Sequence, residues 1–254
     1  IDNTTIPASC FKESTVKTVI LPLNLEAIPD NAFYQSKITS INIPKTVTKI
    51  GDYAFYCCTE LSGTLILPES LLSIGRAAFA GDWHSNSGSN PTNIHNQLSG
   101  TLVIPNSVYE IKAFAFHNCR KLTGIILSNS LTTITEYCFS YCSGLTGNLI
   151  IPDNVTNIES YAFCGHSYSS TTIGYIVIGK NVKSIGDYAF STINLSPLGF
   201  TKYYCKALNP PQGNRWCEIN YIDNSYLGVP FGTKQLYENT KPWQNFTTIE
   251  EVGF

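Results

Sequence analysis

The chain has no methionine among its 254 residues and few charges: sixteen Lys and Arg against eighteen Asp and Glu, 13% together. That is about half the usual charged share. The near balance, a net charge of -2 and a pI near 6.1, leaves no basic footprint for nucleic-acid phosphates. No segment approaches the roughly 20 consecutive apolar residues of a membrane span. Because Met is absent, Ile1 is not a translational start, and removal of a leader is expected.

Catalytic and metal-ligand motifs are missing too. The histidines, His84, His95, His117 and His166, stand in no ligand spacing such as HExxH, and the adjacent Cys57 and Cys58 are not CxxC. A zinc site from His84 and His95, which share one segment, is not expected. Gly-x-Ser-x-Gly is absent as a nucleophile elbow, and no GxGxxG opens a helix. Asp52 and Asp187 are equivalent turn residues, not a catalytic pair. No catalytic residue, metal or cofactor is expected. With 43% hydrophobic residues the chain is globular, and its polar surface is made of Ser, Thr, Asn and Tyr.

What is there is a repeat. Anchor residues fall at Pro22, Pro44, Pro68, Pro105, Ser128, Pro152 and Gly179. Three residues later comes Leu or Val: Leu25, Val47, Leu71, Val108, Leu131, Val155 and Val182. Six later comes Ile, at 28, 50, 74, 111, 134, 158 and 185, and eleven later comes Phe, at 33, 55, 79, 116, 139, 163 and 190. Ala or Cys precedes each of these Phe residues. Such a period marks a solenoid whose coils bury their apolar faces against neighbouring coils. An antiparallel sandwich would space its strands regularly, but has no reason to repeat the same residues at the same offsets.

Apolar residues one and three before each anchor, such as Ile41 and Ile43, predict a strand with one buried face, ended by the anchor proline. A short extended piece follows, then a tight turn and a short helical turn carrying Ala-Phe. Ile6 and Phe11 repeat the Ile-Phe spacing, so the chain begins within a partial coil. The expected fold is one β-rich, right-handed solenoid with a parallel sheet and short helical turns. Residues 1–190 form the repeats, with a polar surface insertion at 80–97, and 191–254 form a C-terminal cap. A smaller excursion follows Phe163. Within the cap, a strand should end at Pro230 and Thr233 should N-cap a helical turn ahead of Trp243 and Phe246.

Of nine Cys, Cys58, Cys119 and Cys142 share the slot fourteen after the anchor, and Cys10 and Cys138 share the slot before the Phe. These read as buried free thiols, and His166, in the column of Cys58 and Cys119, as a packed or half-exposed side chain. Cys205 and Cys217, outside the repeats, are the candidate bonded pair.

The runs "IPKTVTKIGDYAFYCC" and "IPDNVTNIESYAF" resemble those of the BspA-like leucine-rich repeat proteins. The ending "VPFGTKQLYENTKPWQNFTTIEE" is similar to the C-terminal unit of many such proteins of Bacteroidetes. The resemblance covers about residues 6–190 and 200–251. It implies a leucine-rich-repeat stack and an exported, extracellular or cell-surface setting, and some relatives act as adhesins for host matrix proteins or other bacteria. It transfers no functional residues, because the repeated positions are core positions.

The expected function is therefore a non-catalytic, monomeric binding scaffold with a host or bacterial surface protein or glycan as partner. A carbohydrate-active enzyme or accessory glycan-binding module is the alternative. The first candidate surface lies two before each anchor, where alternation points Ile66, Val103, Ile126, Ile150 and Val177 away from the core, with Trp83 of the insertion as an aromatic rim. The second is the aromatic column nine after the anchor, including Tyr137 and Tyr161, which either stacks structurally or offers rings to a ligand.

Overall fold

The computed structural model describes residues 4–82, 95–165, 173–191, 201–215 and 225–254. The fold is a parallel-sheet solenoid of about eight turns with little helix. Its organising feature is the coil-to-coil register of the repeat. The two-residue strands Ala27–Ile28, Lys49–Ile50, Ser73–Ile74 and Glu110–Ile111 pair in parallel, Ile on Ile. Thr133–Ile134, Asn157–Ile158 and Ser184–Ile185 continue the pattern in a second ladder.

At each anchor the carbonyl accepts the N–H three residues on, from Pro44 to Val47 at 3.1 Å and from Pro68 to Leu71 at 3.0 Å. A proline, lacking a donor, ends a strand and starts this turn without loss. The turn drives Val47 and Leu71 into the core, where both are fully buried.

The runs before the anchors form the main sheet most completely in the C-terminal half. Gly100–Val103 pairs with Leu122–Ile126. Gly147–Ile150, Ile173–Ile178, Thr201–Cys205, Ser225–Val229 and Thr248–Glu251 form one parallel five-stranded sheet. The parallel ladder thus runs on beyond residue 190. In the first three repeats the runs 18–21, 40–43 and 64–67 carry no strand ladder. Neighbouring coils are joined there by single bonds, such as Thr39 N–H to Lys17 O at 2.9 Å and Ser62 N–H to Thr39 O at 3.0 Å.

The Phe residues form a continuous spine. Rings 11, 33, 55, 79, 116, 139, 163 and 190 stack in sequence with centroids 4.9–5.6 Å apart and planes within 10°. Burying each ring contributes about 1.5–3 kcal/mol, and each stacked pair about 0.5–1.5 kcal/mol more. The backbone follows: Phe55 N–H donates to Ala78 O and Phe139 N–H to Ala162 O of the next coil, at 2.7 and 2.8 Å.

Short helices occur in the C-terminal unit, an α-helix at Lys234–Glu238 and a 3-10 turn at Trp243–Asn245. Around each Phe of the repeats, by contrast, the expected helical turn is replaced by consecutive non-helical turns. The residue nine after the anchor has positive φ in every repeat: Asn31, Tyr53, Ala77, Phe114, Tyr137, Tyr161 and Tyr188, between 50° and 64°. A left-handed residue cannot continue a right-handed helix. It frees the N–H to point at the next coil, as Tyr53 does to Arg76 O at 2.7 Å and Tyr161 to Asp187 O at 3.0 Å. Thr233 occupies the N-cap position, but its hydroxyl donates to Pro230 O at 2.7 Å instead of capping the helix. Tyr237 and Trp243 fill the core of this unit, donating to Ala207 O and Pro211 O at 2.7 and 2.8 Å.

Candidate functional site

The open face of the main sheet is built by strand alternation. In each coil the residues one and three before the anchor are drawn into the core, so the residue between them faces out. Leu65 and Leu67 are buried and Ile66 is 78% exposed; Leu102 and Ile104 are buried and Val103 is 47% exposed. Ile126 and Ile150 are 56% and 46% exposed, and Val177 is half-buried. The ladder sets Val103 against Ile126 and Ile150 against Val177 as direct neighbours. Val103 with Ile126, and Ile150 with Val177, are thus outward neighbours, and Ile66 faces out on the coil before Val103. Trp83, proposed as its rim, lies outside the described residues, as do His84 and His166. The insertion returns to the core earlier than expected: His95 and Asn96 are buried, and Gln97–Leu98 pairs with Ser62–Gly63.

The column does not stop at Val177. Register carries it to Tyr204, then Gly228, then Glu250. Sequence reasoning missed this extension because Lys206 replaces the anchor proline. The signal available was the apolar pair Tyr203 and Cys205 flanking an outward Tyr204.

The second column, including Tyr137 and Tyr161, behaves differently. Phe114, Tyr137, Tyr161 and Tyr188 stack face to face at 4.7–5.2 Å with planes within 20°. Ala77 interrupts the column, and there the Arg76 guanidinium covers Phe114 at 4.8 Å. Both faces of Phe114, Tyr137 and Tyr161 are taken by neighbours. Burial is the main cause that pushes the Tyr137 hydroxyl up to about 12, with Tyr161 next.

The thiols are core groups with a further role. Cys58, Cys119 and Cys142 donate to the carbonyls of Phe33, Phe79 and Phe116 at 2.9, 3.3 and 3.2 Å. Each thus satisfies the Phe carbonyl of the preceding coil. Burial pushes Cys58 up to about 11 and Cys138 and Cys142 well above the ordinary thiol value. Cys10 is the exception: it shares the slot of Cys138 but lies exposed. Cys205 is free and buried beneath the Tyr237 hydroxyl, and Cys217 lies outside the described residues.

Carboxylates serve the coil-to-coil backbone. Asp30, Asp52 and Glu159 accept the N–H of Asp52, Arg76 and Glu136 at 2.8 Å each. Glu136 and Glu159 line a cleft of about 800 Å³ with Asn157, Ser184 and Gln212. Among the described residues no cluster of His, Cys, Asp and Glu is placed to hold a metal ion. His117 is enclosed by Phe114, Tyr137 and Tyr141 at 5.4–6.4 Å, with Nδ1 2.6 Å from the Ser140 hydroxyl. Its Nε2 is buried without a hydrogen-bond partner, and burial, then the charge of Arg120, lower it to about 4. Among the described residues no helix is long and apolar enough to cross a membrane.

A family profile for the BspA type leucine rich repeat region matches residues 4–100 and 95–206, with six copies. Among solved structures, a leucine-rich repeat protein from Bacteroides ovatus superposes with a TM-score of 0.62 at 20% identity, over 97% of this chain and 64% of that one. A leucine rich cell surface protein from Faecalibacterium prausnitzii gives a TM-score of 0.47 at 26% identity, over 74% of this chain and 54% of that one. No curated protein matches the sequence. The chain thus spans less than two thirds of either structural relative.

Proposed function

The chain belongs to the BspA type leucine rich repeat family, and from that premise we propose that it is a non-catalytic scaffold that binds a partner protein through the open face of its main sheet. The leucine-rich repeat stack is a general protein-interaction fold. The observation that carries the reading is the outward column: Ile66, Val103, Ile126, Ile150 and Val177 stand on successive coils, and most are well exposed. A contiguous apolar row of that kind marks interaction sites more often than scattered surface leucines do. The partner is a host or bacterial surface protein, and the protein is exported to the cell surface. Residues 1–190 present the face and residues 191–254 form the capping unit.

The test is the double variant Val103→Lys, Ile126→Lys, assayed against a partner found on an array of matrix and bacterial surface proteins. Two charges in the column should weaken binding at least tenfold while leaving the circular dichroism unchanged. Unchanged affinity with the fold intact would overturn the reading.

A further inference from the structure

The corner after the anchor is built alike in every repeat. The Leu or Val three residues on is buried, and the Ile six on pairs with its counterpart in the ladder. The coil that starts at Lys206 breaks this pattern. Asn209, three residues on, is exposed. Gln212, six on from Lys206, stands opposite Ser184, which is only five on from Gly179. The corner is therefore one residue longer than the one before it. The buried side chains of Tyr237 and Trp243 hold its carbonyls at Ala207 and Pro211, while Leu208 is left 67% exposed.

Between the regular corner and the longer one lies a cleft of about 960 Å³. Lys180, Lys183 and Lys206 line it, with the side-chain amides of Asn181, Asn209 and Gln212. Among the described residues no acid lines it. Asp153 stands just outside and is already engaged: its Oδ1 accepts the Lys180 N–H at 3.2 Å and lies 3.7 Å from Lys206 Nζ. Lys180 and Lys183 are exposed, and neither side chain is ion-paired among the described residues. Through Asn157, Ser184, Pro210 and Gln212 the cleft runs on into the cleft of about 800 Å³, whose own lining includes Glu136, Glu159 and Lys241.

We propose that the lysine cleft binds a short, extended, acidic segment of a partner protein, with an apolar side chain of that segment resting on Leu208. Three cations around one concave space, against a single acid already engaged, give a positive potential that carboxylates complete. An extended segment brings one N–H and one C=O per residue, and the amides of Asn181, Asn209 and Gln212 can take them. A sugar fits less well, because among the described residues no aromatic ring lines either cleft for it to stack on. The acidic run is short, since Glu136 and Glu159 repel its continuation. The lining follows the anchors, whereas the open-face column precedes them, so this site does not rest on the open-face reading.

The test titrates the whole chain with two labelled peptides, Asp-Glu-Leu-Asp-Glu-Ser and its amide counterpart Asn-Gln-Leu-Asn-Gln-Ser, followed by fluorescence anisotropy. The acidic peptide should bind and the amide one should bind at least tenfold more weakly. Raising salt from about 50 to about 300 mM should weaken the acidic peptide at least threefold. Lys180→Glu, Lys183→Glu should weaken it tenfold or more, whereas Lys180→Arg, Lys183→Arg, which keeps both charges, should retain binding and control for folding. Leu208→Ser should cost about threefold. Val103→Lys, Ile126→Lys should leave binding unchanged, which separates this site from the open face. No binding of the acidic peptide, equal binding of the amide one, or full binding by Lys180→Glu, Lys183→Glu would overturn the proposal. So would hexagalacturonate binding as tightly as the peptide, which would assign the cleft to acidic glycans.

Discussion

The rings of Tyr137 and Tyr161 lie 4.7 Å apart and within 3° of parallel, although both residues hold positive φ, 55° and 59°. Aromatic residues avoid that region. Here each N–H donates to the next coil, Tyr137 to Ser160 O at 3.2 Å, and the stack holds the side chains, so the surroundings over-determine the backbone.

Tyr137→Gly should therefore be more stable than Tyr137→Ala. Both lose the stacked ring, but alanine keeps the left-handed cost of about 1–2 kcal/mol, which glycine lacks. Urea unfolding of the two variants measures the difference, and an alanine variant as stable as the glycine one would contradict the argument.

Phe139→Ala should cost about 3–5 kcal/mol. The ring is buried between Phe116 and Phe163, at 5.5 and 5.4 Å, and its removal breaks the spine. Because coils couple mainly to their neighbours, unfolding should begin at the gap. Hydrogen exchange checks the site of opening, and a loss under about 1 kcal/mol would show that the ring is not a core plug.

Cys58, Cys119, Cys138 and Cys142 should resist alkylation in the native protein and label fully once it is denatured, while exposed Cys10 labels at once. Reaction needs the thiolate, and burial holds Cys58 near 11 and pushes Cys138 higher still. Mass spectrometry of the two labelling steps decides it; rapid native labelling of the four would refute their burial.

Stability should fall as pH drops from about 6.5 towards 4. Folded His117 is held neutral, with its pKa lowered to about 4 from the ordinary 6.5, so the unfolded chain takes up the proton first. The contribution is fully present above about 6.5 and is lost down to about 4, up to about 3 kcal/mol. Arg120 lowers this pKa and Asp82 opposes it. His117→Gln should flatten the stability profile over that window, and an unaltered slope would point to other groups.

The repeated Leu or Val, Ile and Phe were enough to specify coils, because an apolar residue recurring at one offset has only one place to be buried in a stack, against its counterpart in the next coil. That is why Ile50 pairs with Ile28 and Ile74, and why the outward column of Val103 and Ile126 was legible from alternation alone. The left-handed residue nine after the anchor was not legible, because Tyr, Phe, Asn and Ala there share no backbone preference; coil-to-coil hydrogen bonds impose the conformation. Likewise the serial offset of Cys58 predicted burial, but its donation to Phe33 O depends on how closely two coils approach. Nor did the sequence reveal Lys180, Lys183 and Lys206 as walls of one cleft. They lie on two coils, and only the register that sets Gln212 against Ser184, with one residue more in the second corner, opens space between them.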